Sequence, residues 1–171
     1  TIEFYELVQR SLQISELTQG AFDISFNGLG DLYVFDGDDH SLPSNEVIMT
    51  ALDHIGYEKI ILLNGNQIAF QIPEMSIGFG AIGKGFAADQ IKKLMIKKGV
   101  RGGVINASGD LTSWGSRADG SQWNVGIPNP QKKSEIIFWL PISNKAIATS
   151  GDYEKYFMNK GSRYSHIINP K

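Results

Sequence analysis

The residues best suited by type and spacing to do chemistry run from Gly78 to Asp89, Gly-Phe-Gly-Ala-Ile-Gly-Lys-Gly-Phe-Ala-Ala-Asp. Glycines let a backbone come close to a ligand, Lys84 brings a positive charge, and a helix starting here turns unpaired N–H groups toward an anion. That combination can hold a phosphate or pyrophosphate. Two familiar patterns overlap the segment, and neither is complete. Gly78, Gly80 and Gly83 satisfy G-x-G-x-x-G, but Arg101-Gly102-Gly103-Val104 stands where an acidic ribose partner should follow, about 20 residues on. The P-loop pattern needs Ser or Thr after its lysine to ligate magnesium, and Gly85 occupies that position. The segment supports phosphate binding without naming a nucleotide. The structural alternative is a glycine-rich connection that packs Phe86 and Ala87 on a sheet.

Other groups carry a chemical and a structural reading side by side. Asp23 and Asp89 read as caps, and Asp89, inside the third helix, also as a solvated or backbone-bonding carboxylate. The Thr149-Ser150-Gly151-Asp152 stretch offers small polar donors to a phosphate, or simply ends a strand. His166 falls in an alternating stretch read as a strand and is one of three histidines. Phe22 and Phe86 read as core aromatics on composition alone.

Composition narrows the classes. A net charge of -2 gives no basic footprint, which argues against nucleic-acid binding. The chain has no cysteine, which removes disulfides, thiolate nucleophiles and cysteine-based metal sites. No apolar run approaches the roughly 20 residues that span a bilayer, and Thr1 to Arg10 carries no signal-peptide pattern, which leaves the compartment open. At 171 residues and 42% hydrophobic, the chain can bury a core as one compact unit or a closely coupled pair of lobes.

The elements that must position these residues are read from periodicity. Phe4, Leu7, Val8 and Leu12 predict a helix over 3–17, broken by Thr18-Gln19-Gly20. Residues 21–39 predict a loop with a short extended piece from Asp31 to Phe35. Pro43 and Ser44 open a second helix whose stripe of Val47, Ile48, Ala51, Leu52 and Ile55 predicts core, with Gly56 ending it. Asn64-Gly65-Asn66 predicts a hairpin between 59–63 and 67–72. A third helix follows the glycine segment, with Ala87, Ile91, Leu94 and Met95 on one face, lysines including Lys92 on the rest, and Gly99 as its stop. Beyond it, strands are predicted at 103–107, 122–127, 136–142, 146–149 and 164–168. Antiparallel runs with helices grouped between them indicate an α+β class.

Thr18-Gln19-Gly20-Ala21-Phe22-Asp23, Gly80-Ala81-Ile82-Gly83-Lys84-Gly85-Phe86-Ala87-Ala88-Asp89, Asn106-Ala107-Ser108-Gly109-Asp110, Ala148-Thr149-Ser150-Gly151-Asp152-Tyr153 and Ser165-His166-Ile167-Ile168-Asn169-Pro170 occur in this order. Together they resemble the ordered blocks of the ApbE-type FAD:protein FMN transferases, from about Thr18 to the C-terminus. The resemblance implies an α+β, tunnelling-fold-like architecture of antiparallel sheets and helices, with 1–171 as a single domain. It implies transfer of FMN from FAD to a threonine hydroxyl of an acceptor flavoprotein, with magnesium and release of AMP. An FAD-binding or FAD-hydrolysing module without transfer is the alternative. Around FAD it places Ala21, Phe22, Asp23, Gly80, Phe86, Asp89, Thr149, Ser150, Gly151, His166 and Ile167. It gives Lys84 and His166 the catalytic roles and the Gly83 carbonyl a place on the metal, and it implies a cell-envelope or periplasmic location.

The chain departs from the family's usual pattern at Gly78, where an acidic residue is expected, at Ser108, for the first glycine of N-x-G-G-D, and at Asn169, for the aspartate of H-I-I-D-P. The resemblance also implies an N-terminal strand ahead of Thr1, and beyond Lys171 a further part bearing a metal-binding Asp and Thr.

Overall fold

The computed structural model describes residues 1–130, 132–151 and 155–169. In chain order its elements are α1 (Ile2–Leu17), a 3-10 turn (Ile24–Phe26), α2 (Asn27–Gly30), α3 (Asn45–Asp53), a second 3-10 turn (Tyr57–Lys59), β1 (Ile60–Leu63) and β2 (Gln67–Phe70). Then come α4 (Gly83–Lys97), β3 (Gly103–Ala107), β4 (Asp110–Trp114), β5 (Trp123–Asn129), β6 (Lys132–Ile142), β7 (Ala146–Ile147), β8 (Tyr156–Asn159) and β9 (Ser162–Ser165). Every strand ladder is antiparallel, in the orders β1-β2, β3-β4-β7, β5-β6 and β8-β9, as the α+β reading expects. The chain divides into two compact units, 1–81 with 151–171, and 82–150. No helix among the described residues is long and apolar enough to cross a membrane.

In the first unit the core is built on Val8, Ile24, Ile60 and Met75, with Leu12, Phe22, Ile77 and Phe79 packed against it. The buried face of α1 also contains Ser11 and Ser15, fully buried. Their hydroxyls donate to the Leu7 and Ser11 carbonyls at 2.8 and 3.1 Å, so neither needs a partner outside the helix. Two crossed bonds close the helix, Gly20 N–H to Ser15 O at 2.7 Å and Gln19 N–H to Glu16 O at 3.0 Å, with Gln19 (φ 53) and Gly20 (φ 82) both left-handed. This is the break that Thr18-Gln19-Gly20 predicts. The β1-β2 hairpin turns through Asn64-Gly65-Asn66 with Gly65 and Asn66 at positive φ, as expected.

Three expectations in this unit are corrected. Asp31 to Phe35 is not a strand. Pairing begins later, where Gly37 and His40 donate to the carbonyls of Tyr156 and Met158 and Asp39 bridges Met158 in parallel. Of the expected stripe only Ile55, beyond the end of the helix, is buried; no residue of α3 itself is, and Val47 is 45% exposed. Nor does Gly56 end α3, which stops at Asp53. Gly56 (φ 141) instead turns its N–H onto Ser25 Oγ at 2.8 Å, a role set by packing rather than by helix termination.

In the second unit α4 packs on β3 and β4. Its buried face is centred on Ala88, 1% exposed, and not on the predicted Ile91 and Leu94, which are 44% and 47% exposed. Lys92, one turn beyond Ala88, reaches β4 rather than solvent, donating to Ser113 O at 2.7 Å and Thr112 Oγ1 at 3.4 Å. A small residue lets the helix backbone approach the sheet, and the lysine stem then lies across it. Gly99 (φ 86) closes α4 as expected. The strand β4 was not expected from the sequence. It is the middle strand of its sheet, and Ser113 ties it to β7 by exchanging hydrogen bonds with Lys145: Oγ donates to Lys145 O at 2.9 Å and accepts from Lys145 N at 3.2 Å. The expected strand at 146–149 is limited to Ala146–Ile147.

Candidate functional site

In the second unit, Gly83 is the first residue of α4 and Ile82 caps it without any side-chain hydrogen bond. The first N–H groups of the helix are therefore left for an outside acceptor. Beside this end lies the β3-β4 turn. Ser108 (φ 55) and Gly109 (φ 103) are both left-handed, the mirror-image turn geometry that suits a two-residue hairpin. Asn106 Oδ1 accepts from Gly109 N at 2.8 Å and holds the turn. Lys84 Nζ reaches the Ser108 carbonyl at 3.4 Å, a long and exposed contact that a phosphate oxygen would outcompete. Asp110 also faces the helix start, its Oδ2 3.9 Å from where a Cβ on Gly85 would stand. This carboxylate and Asn106 were not singled out from the sequence. Their signal was the Asn106 to Asp110 block itself, which a turn-first reading passes over.

Of the other expected residues in this unit, Phe86 is half-buried, Asp89 is exposed on α4 and caps nothing, and Thr149 and Ser150 are exposed beyond β7. Asp152 and Tyr153 of the same block, and Pro170 of the last, lie outside the described residues.

In the first unit, Asp23 caps the 3-10 turn. Its Oδ1 accepts from Ser25 N at 2.8 Å and Ser25 Oγ at 2.7 Å, and its Oδ2 from Tyr57 N at 2.9 Å. A carboxylate has about four lone-pair positions, so little of Asp23 remains for a ligand. Asp23→Ala should cost about 2 kcal/mol in urea unfolding, because it strands the Tyr57 N–H and frees the Ser25 hydroxyl that receives Gly56. Phe22 packs on the core, Ala21 is exposed, and Gly80 is exposed at the end of the unit.

His166 stands just after β9 rather than inside a strand. Its backbone N–H and its ring Nδ1 both donate to the Lys155 carbonyl at 3.0 Å. A carbonyl only accepts, so Nδ1 carries a proton, and whenever the ring is neutral its lone pair is on Nε2. The edge of the ring meets Phe35 at 6.3 Å, at the margin of a stack in which Tyr33 and Tyr164 lie against the buried Phe157. Ile167 is exposed beside it. In the neighbouring 36–40 loop, Asp36 is held below the ordinary carboxylate range, first by the Asp38 N–H and then by His40.

The whole chain, residues 1–171, matches the ApbE family model. The chain belongs to the ApbE family. It is 30% identical to a protein of Klebsiella pneumoniae named FAD:protein FMN transferase, over 97% of this chain and 49% of the relative. It is likewise 30% identical to the protein of that name from Vibrio cholerae, over 96% of this chain and 50% of the relative. The crystal structure of the ApbE protein from Thermotoga maritima superimposes with a TM-score of 0.85 at 32% identity, covering 98% of this chain and 55% of that one. The apo form of the Pseudomonas stutzeri flavinyl transferase ApbE gives 0.80 at 29% identity, over 96% and 51%. The chain thus spans about half the length of the curated relatives it matches.

Among the described residues no group of three or more His, Cys, Asp or Glu could hold a metal ion. The Gly83 carbonyl is a single oxygen in the first turn of a helix, well short of the six that magnesium demands even when several are water. The described residues therefore do not by themselves make a magnesium shell.

Proposed function

We propose that this chain is part of an FAD:protein FMN transferase and that its second unit holds the FAD pyrophosphate. The observation that carries the reading is the uncapped start of α4, with Lys84 and the Ser108-Gly109 turn beside it, in a chain of the ApbE family. Helix N–H groups and one ammonium offset charge on a pyrophosphate without any bulky side chain in the way. In the transfer, a threonine hydroxyl oxygen of the acceptor protein bonds to the FMN phosphorus. The bond from that phosphorus to the bridging oxygen breaks, AMP leaves with the bridging oxygen, and the hydroxyl proton goes to a base. His166 fits that last role chemically, since the Lys155 carbonyl fixes its tautomer with Nε2 free. Magnesium, if bound, would supply charge neutralisation on the pyrophosphate, and the Gly83 carbonyl would give it at most one oxygen.

The test is incubation of the chain with FAD, magnesium and an acceptor domain bearing a threonine. The expected result is the FMN mass increment on the acceptor with equimolar AMP. AMP without covalent FMN would reassign the chain to FAD hydrolysis. FAD retained without AMP would reduce it to a binding module, and the absence of saturable FAD binding would overturn the reading.

A further inference from the structure

The β5-β6 ribbon of the second unit carries an unbroken apolar run, Ile136-Ile137-Phe138-Trp139-Leu140, in which every side chain is exposed. Side chains alternate along a strand, so such a run puts apolar groups on both faces, the pattern of a strand covered on both sides. The register agrees. Trp123, Val125 and Ile127 pair with Ile142, Leu140 and Phe138 on one face, and Gly126 pairs with Trp139 on the other. A Cβ on Gly126 would come 3.0 Å from Ile136 Cδ1 and 3.2 Å from Trp139 Cζ3, so Ile136 joins Trp139 on that second face, past the irregularity between Ile127 and Pro128. Cover stops part-way along the ribbon. Ile142 is 2% exposed, and the Trp123 indole opposite it donates to Trp114 O at 3.2 Å, which ties this end to β4. Three residues away, Trp139 is 64% exposed. Among the described residues, β5 and β6 form a sheet of two strands only.

We propose that this ribbon is the seam at which the rest of an ApbE-family fold docks, its occupant being polypeptide that lays an apolar surface on each face. The inference stands on family membership and is independent of the transferase reading. Two observations choose the occupant. The Thermotoga maritima structure matches 98% of this chain but only 55% of its own, so nearly half of that relative lies outside the match and is available to cover the ribbon. A second copy of this chain, joined edge to edge along β6, would lengthen the sheet and leave both faces bare. Covering both faces takes further layers, which the unmatched part of such a relative can bring. A two-stranded ribbon with nothing packed on it is marginal in water, and five exposed apolar residues in a row with no charge among them invite association, so burial is the use this run is built for.

The experiment sets the chain beside a chimera in which it replaces the matched part of the Thermotoga maritima protein, with Trp139→Gln and Phe138→Gln made in each, one for each face. In the chain alone both substitutions should leave the urea midpoint within about 0.3 M, because water already reaches these side chains. In the chimera each should lower the midpoint by about 1 M or more, the mark of a large side chain lost from a packed core. Equal small shifts in the chain and the chimera would overturn the proposal. A large shift in the chain alone would overturn it too, since the chain's own residues would then be covering the ribbon, and that arm does not depend on the chimera folding. Sedimentation equilibrium of the chain supplies the third check. A monomer is expected, and a dimer that Trp139→Gln or Phe138→Gln dissociates would assign the ribbon to a second copy and overturn the proposal.

Discussion

Gly115→Ala should destabilise the second unit by about 3 kcal/mol or more, read as a shift of the urea midpoint followed through Trp114 and Trp123. Gly115 sits at φ 56, where a Cβ alone costs about 1 kcal/mol. Steric overlap costs more. The added Cβ would run into the Arg101 carbonyl oxygen and come within 2.9 Å of Gly102 Cα. Both are backbone, so no side chain can swing aside. Nor can the strand end slide away, because Asn144 Oδ1 accepts from Gly115 N at 3.2 Å and Ser143 Oγ donates to Gly115 O at 3.0 Å. Gly120→Ala separates backbone strain from overlap. Gly120 also has a positive φ, 82, but nothing lies within 4 Å of its would-be Cβ, so its loss should stay near 1 kcal/mol. Equal losses in the two variants would show that the close crossing of 101–102 and 115 contributes nothing.

That crossing marks the boundary between what the sequence discloses and what it hides. Local chemistry was readable. Asn64-Gly65-Asn66 turns a hairpin and Thr18-Gln19-Gly20 ends α1, because each depends on a few consecutive φ values. Contacts between distant stretches were not. The segment Asp110 to Trp114 is too polar to read as a buried strand, yet Thr112 and Ser113 are buried because β7 and Lys92 satisfy their polar groups. In α4 the apolar stripe pointed to Ile91 and Leu94, while Ala88 proved the residue that lets the helix reach the sheet. The same division runs through the candidate site. Lys84 and its glycines announce themselves within a few residues, whereas Asp110 acquires meaning only when the fold lays it beside the helix start at Gly85. Ser108 stands where the resemblance expects glycine, and its φ of 55 shows the turn keeping the glycine conformation with a serine in it.

Lys84→Ala should weaken FAD about 10- to 100-fold and leave riboflavin binding within about twofold, since riboflavin carries no phosphate. The contrast follows from where the ammonium stands. Its contact with the Ser108 carbonyl is 3.4 Å long and exposed, so removing it should leave the unfolding midpoint almost unmoved. Its charge lies in the first turn of α4, where the N–H groups of the uncapped helix add to it. An interaction of this kind is screened, so the penalty of the substitution should shrink as salt rises. Lys84→Arg should recover part of the affinity, because it restores charge but presents a planar fork in place of a compact ammonium. Equal weakening of FAD and riboflavin would place the flavin ring rather than the phosphates near Lys84. The start of α4 would then be only a helix packed on its sheet, and the pyrophosphate would have to be held elsewhere in the protein.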